Sequence, residues 1–199
     1  MIHLYYGSGK GKTTAAIGLA LRSLSAGIKV IIVQFLKNKP TGEIEMLEKM
    51  SNVTVLRGKC GNHFTKDMSE EERTATKEIS DRNFLLAVEA CRECCDDTSK
   101  KKCTRVRSDS ESPYEQPKNI RMPSVVLILD EACAAYDENL INRKAIEHFI
   151  SHVPPEAEVI ITGREPPCCF LDNADYCTEF RKIRHPFDKG IQARKGIEF

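Results

Sequence analysis

Ile2-His3-Leu4-Tyr5-Tyr6 runs straight into Gly7-Ser8-Gly9-Lys10-Gly11-Lys12-Thr13-Thr14, and apolar residues occupy most positions from Ala15 to Ala26. The first run reads as a short buried strand. The second is a glycine-rich turn. The third reads as a helix from Thr13 to Ala26, buried on much of its surface and capped by Gly27. Lys29 to Phe35 (KVIIVQF) is β-branched and apolar, so it reads as a second buried strand. Strand, glycine loop, helix and strand make a βαβ unit, and such crossovers are right-handed.

The loop sits where a phosphate-binding loop needs to be, after a strand and at the start of a helix. Glycines let successive N–H groups turn inward on a phosphate, and the helix N-terminus favours negative charge. Lys12 supplies a point charge and Thr13 a hydroxyl suited to Mg²⁺. The common pattern is G-x-x-x-x-G-K-[ST]. Gly11-Lys12-Thr13 matches its end, but Tyr6 stands where the first glycine belongs, so this loop is one residue short. A glycine- and lysine-rich surface turn is the plainer alternative.

Asn52 to Leu56 reads as a third strand. Ser69 to Glu72 fits a capping box that starts a long helix reaching about Cys94. Val125 to Leu129 (VVLIL) is a continuous apolar strand that ends in Asp130-Glu131. Asn139 to Ser151 reads as helix and Glu158 to Thr162 as strand, with a last strand between Asp175 and Ile183. The alternation predicts an α/β fold, a mainly parallel sheet with helices on both faces. Ligands of such sheets sit outside the carboxyl ends of the strands, which places Asp130 and Glu131 beside the phosphate loop. Asp130 there can hold Mg²⁺ directly or through water; two solvated carboxylates at a strand end are the alternative.

Residues 96–123 interrupt this pattern. They are rich in Lys, Arg, Ser, Asp and Glu, and read as a disordered insertion in a single domain spanning 1–199. The formal net charge of +1 provides no basic field for nucleic acid or a membrane surface. No apolar stretch approaches the ~20 residues that cross a bilayer. The N-terminus lacks signal-peptide character, so the chain reads as cytoplasmic. Its nine cysteines are then expected as thiols. Cys91, Cys94 and Cys95 with Cys103 leave two readings: reduced surface thiols, or a tetrahedral zinc site.

Several segments together resemble the P-loop corrinoid adenosyltransferases. They are the short loop GSGKGKTTAA, VIIVQFLK, Thr41-Gly42-Glu43, the LILDE strand, Thr162-Gly163-Arg164, Ala174-Asp175 with Thr178-Glu179, and the tail RHPFDKGIQARKGIEF. The resemblance implies a RecA-like P-loop fold and a homodimer. It implies transfer of the 5′-deoxyadenosyl group of ATP to the Co(I) of a reduced corrinoid, with release of triphosphate. The setting is adenosylcobalamin biosynthesis or salvage, with Mg²⁺ (or Mn²⁺) at the phosphates and a Co(II) reductase such as a flavoprotein as partner. By similarity Gly7, Ser8, Gly9, Lys10, Gly11, Lys12, Thr13 and Thr14 hold the phosphates. Lys12, Thr13, Asp130 and Glu131 serve the reaction, and Thr13 and Asp130 the metal. Arg164 contacts phosphate or is a surface charge paired with Glu165 or Asp172. His185 is expected to support structure. Better-known members line the corrin pocket with Phe-Thr-Trp; here the run is Phe64-Thr65-Lys66, and the chain contains no Trp. Phe64 still offers an apolar face to the corrin. The chain is also expected to lack the extension that many members carry before the loop. A P-loop kinase or NTPase, and a non-catalytic ATP or corrinoid carrier, are the competing functions.

Overall fold

The most apolar run of the chain, β4 (Val125–Asp130), is buried at every position, and the other elements are arranged around it. The structure is a computed structural model that describes residues 1–38, 41–100 and 122–197. With β1 (Ile2–Tyr6), β2 (Lys29–Gln34), β3 (Val53–Arg57), β5 (Ala157–Thr162) and β6 (Tyr176–Glu179) it forms a six-stranded sheet of order β3-β2-β4-β5-β1-β6. Every pairing is parallel. β5 lies between the phosphate-loop strand β1 and the strand that ends at Asp130, which is the RecA-like order.

Successive strand residues face opposite sides, so one strand feeds two cores. Val126 and Ile128 meet Ala16, Ile17 and Ala20 of α1 (Lys12–Ser25) and Ile44 and Leu47 of α2 (Gly42–Leu47). Val125, Leu127 and Leu129 face the other layer, built from α3 (Glu70–Lys100), α4 (Ala132–Asp137), α5 (Arg143–Ser151) and α6 (Cys168–Asn173). There Phe84 and Ala87 of α3 meet Phe149 of α5 across the sheet's second face.

The capping box forms as expected: the Ser69 N–H donates to Glu72 Oε2 at 3.0 Å, and the Glu72 N–H donates to Ser69 Oγ at 3.2 Å. α3 then continues past Cys94 to Lys100. The helix expected over 139–151 is corrected to one that starts only at Arg143. Asn139 takes a left-handed φ of 54°, and Asn142 Oδ1 accepts the Ala145 N–H to start α5 afresh. Helices α2 and α6 occupy segments to which the sequence reading assigned no element. Cys91 and Cys95 face the core, so the reading as surface thiols is corrected for both. Burial pushes the Cys91 thiol up to about 12. Among the described residues no three His, Cys, Asp or Glu side chains group to hold a metal. Cys103, Glu198 and positions 101–121 of the expected insertion lie outside the described residues. No helix among the described residues is long and apolar enough to cross a membrane.

Gly163, just after β5, locks this frame beneath the site. A Cβ there would stand 2.2 Å from Cys133 Cβ and 2.6 Å from its sulfur, on buried α4. Gly163→Ala is therefore expected to lower unfolding free energy by about 1–3 kcal/mol through overpacking. Urea denaturation checks this, and an unchanged midpoint would show that α4 is free to retreat from β5.

Candidate phosphate and nucleotide site

All six strands are parallel, so their carboxyl ends share one edge, and the loop from Gly7 to Gly11 opens there. Gly7 (φ 107°) and Gly11 (φ 115°) adopt backbone that L-residues avoid. The loop also rests on the far end of the chain. The Gly7 N–H donates to the Arg164 carbonyl at 2.9 Å, and the Gly9 N–H to the Phe180 carbonyl at 2.6 Å. A Cβ on Gly7 would lie 2.6 Å from the Phe180 oxygen, and one on Gly9 2.8 Å from backbone carbons of Phe180 and Arg181. Gly7 and Gly9 are thus required by the chain beneath the loop, whatever lies above it.

Lys12 curls over the loop and donates to the carbonyls of Gly7 at 2.7 Å and Gly9 at 2.8 Å. Burial lowers its pKa, Glu131 opposes that and Arg164 adds to it. A cavity of about 340 Å³ opens above, lined by residues 8–14 with Glu131, Arg164, His185 and Ile197. Lys12, Arg164 and the N-terminus of the 14-residue α1 make it suited to a polyphosphate. His185 also accepts the Phe187 N–H on Nδ1 at 3.1 Å, so its ring is tied into the C-terminal turn.

Asp130 lies beneath this cavity, 1% exposed. Its Oδ1 accepts the hydroxyls of Thr13 and Thr162, each at 2.8 Å. Its Oδ2 accepts Lys37 Nζ at 2.7 Å and Gln34 Nε2 at 3.2 Å. The parallel register sets Gln34 opposite Asp130. Burial works against the Lys37 ammonium, but Asp130, with Glu131 and Glu43, outweighs it, and the Lys37 pKa lies above the ordinary lysine value.

Glu131 differs from its neighbour. It sits at φ 62°, in the left-handed region, and lines the cavity. Burial, then Asp130, raises its pKa, while Lys37, Lys12 and Arg164 pull it back. The structure thus separates the two carboxylates by role. Thr13 donates its proton to Asp130, so its oxygen lone pairs are left for the cavity, where Glu131 adds a carboxylate. Hydroxyl and carboxylate oxygens are the donor type that fits Mg²⁺.

A second cavity of about 550 Å³ shares Thr13, Thr14 and Ile197 with the first and adds Ile17, Lys37, Thr41, Gly42, Glu43, Met46 and Gly196. The buried Thr41 hydroxyl has no hydrogen-bond partner among the described residues. Gly7 to Thr14, Glu131 and Arg164 therefore converge, with Asp130 as their support. Phe64 does not join them. It stands 82% exposed between β3 and α3, outside the lining of both cavities, with Lys66 exposed in the 3-10 turn Thr65–Asp67. Asn38 links that loop to the site, donating to the Gly61 carbonyl at 2.5 Å and to Asn62 Oδ1 at 3.1 Å. Sequence reasoning gave no role to Gln34, Lys37, Thr41, Thr162 or Phe180. Lys37 had a visible signal, since it follows a buried strand whose end shares an edge with Asp130.

The chain is 30% identical over 200 residues to a corrinoid adenosyltransferase of Escherichia coli K12, covering all of this chain and 85% of the relative. It is 28% identical over 202 residues to the corrinoid adenosyltransferase CobA of Salmonella typhimurium LT2, again covering all of this chain and 85% of the relative. A Sinorhizobium corrinoid adenosyltransferase is 27% identical over 97% of this chain and 77% of its own length. The model of the family described as ATP:corrinoid adenosyltransferase BtuR/CobO/CobP matches residues 1–199, and the chain belongs to that family.

Proposed function

We propose that this chain transfers the 5′-deoxyadenosyl group of ATP to the Co(I) of a reduced corrinoid, in the making or salvage of adenosylcobalamin. The observation that carries the reading is a phosphate cradle, one residue short, that joins Lys12, Thr13, Glu131 and Arg164 in one cavity of a family member. Co(I) is the nucleophile and brings its own electron pair to C5′. The C5′–O bond breaks, and that pair leaves on triphosphate. No side chain has to be activated as a nucleophile or base. The protein's work is to orient ATP and to stabilise the departing charge.

Each group has a part in this. The N–H groups of Gly7 to Thr14 hold the phosphates, with Ser8 and Lys10 on the exposed rim. Lys12 exchanges the carbonyls of Gly7 and Gly9 for phosphate oxygens. Arg164 adds a second cation. Asp130 orients Thr13, and Thr13 with Glu131 would hold Mg²⁺ or Mn²⁺, which supplies further positive charge to the leaving group. Phe64 offers an apolar face to the corrin from the loop tied to Asn38. The reading also carries a flavoprotein-type Co(II) reductase as partner and a homodimeric, cytoplasmic enzyme.

Product analysis tests the proposal. With Mg²⁺, ATP and chemically reduced corrinoid, a light-sensitive adenosylated corrinoid and inorganic triphosphate are expected in equal amounts. Steady ADP and phosphate instead would establish a kinase or NTPase. Lys12→Ala is expected to lower kcat/KM by about 100-fold or more while leaving the melting temperature near that of the parent, because Lys12 bonds only loop carbonyls. Parent-like turnover would remove the loop from the mechanism. Lys66→Trp is expected to raise activity with cobalamin, since an indole excludes water from the corrin's lower face. An unchanged rate would assign lower-face control to other residues.

A further inference from the structure

Asp130 is the only carboxylate, lysine or arginine among the described residues whose side chain is buried. A buried charge needs a countercharge, and neutral hydroxyls and amides do not provide one. Thr13, Thr162 and Gln34 are neutral, so that task falls to Lys37. Each Asp130 oxygen already accepts two donors, about the full capacity of a carboxylate oxygen.

The chain is shaped to keep Lys37 there. Leu36, just before it, takes φ 59°, a conformation that branched residues rarely adopt. The Phe35 N–H donates to the Asp130 carbonyl at 3.0 Å, and Asn38 is bonded to the Gly61–Asn62 turn. The segment is therefore fixed on both sides of Lys37. Glu131, one residue from Asp130, is left facing the phosphate cavity.

We infer that Lys37 is the resident cation of the site: its ammonium closes the Asp130 carboxylate to divalent ions, so that an ion enters only with the nucleotide phosphates, on Thr13 and Glu131. The inference rests on the proposed phosphate site but not on the identity of the transferred group. Without Lys37, Asp130 and Glu131 would form an adjacent pair of carboxylates able to capture a free ion in the absence of ATP. Lys37 is thus a positioning residue that acts through Asp130, and it couples metal loading to nucleotide binding.

Mn²⁺ titration of the nucleotide-free protein, followed by electron paramagnetic resonance, tests this. Parent protein and Lys37→Arg are expected to bind weakly and alike. Lys37→Met is expected to bind Mn²⁺ at least about tenfold more tightly, because the competing cation is gone. Adding Asp130→Asn to Lys37→Met is expected to abolish the gain. A folded Lys37→Met with parent affinity, or a gain that survives Asp130→Asn, would overturn the inference. If Lys37→Met does not fold, acetylation of the parent protein read by mass spectrometry decides. Mn²⁺ alone is expected to leave Lys37 labelling unchanged, and increased labelling would show that the ion displaces it. The product assay is separate, so failure there would not move either readout.

Discussion

The buried carboxylate of Asp130 is the point on which this structure turns. It ends the central strand β4 and draws donors from α1 through Thr13, from β5 through Thr162, and from β2 and its following loop through Gln34 and Lys37. A carboxylate taken out of water costs several kcal/mol unless it is paired and fully hydrogen-bonded. Here both conditions are met, and meeting them fixes the relative positions of three strand ends and one helix start. Thr13 is held by its proton, which leaves its lone pairs for whatever enters the cavity. The same network places Glu131, because its N–H donates to Thr162 Oγ1 at 2.9 Å while the residue lines the cavity above the loop.

The phosphate loop depends on a second long-range constraint. Gly7 and Gly9 lie against the backbone that follows β6, closely enough that a methyl group would collide. β6 pairs with β1, and the Phe180 N–H donates to the Tyr6 carbonyl at 2.7 Å. The chain's start and its last strand are therefore laid side by side, and the C-terminal segment reaches both cavities through Ile197. The glycine-rich loop is thus shaped by the peptide plane below it as well as open to the cavity above.

Much of this was legible from local pattern. Apolar β-branched runs bounded by turn residues are strands in almost any context, and β1, β2, β4 and β5 fall within a residue or so of their expected bounds. The capping box at Ser69 and Glu72 is a contact within one turn, so sequence spacing alone implies it. The 139–151 helix was overextended because Asn139 and Asn142 look helical by neighbours but cap and break by conformation. The core-facing cysteines of α3 are not legible in sequence, because their charged neighbours hide which stripe of the helix meets the sheet.

The glycine-rich loop, the strand that carries Asp130 and Glu131, and the α/β class are all legible in the sequence, since each rests on residues a few positions apart. What those residues do to one another depends on the fold. Lys37 and Asp130 lie 93 positions apart, Thr13 and Asp130 117, and Thr162 and Asp130 32. No spacing rule connects them; they meet because parallel strands bring all their carboxyl ends to one edge. That edge separated two adjacent carboxylates, one sealed beneath the site by a lysine and one left open to it, a difference that burial and geometry create and that the pair Asp130-Glu131 does not display in sequence.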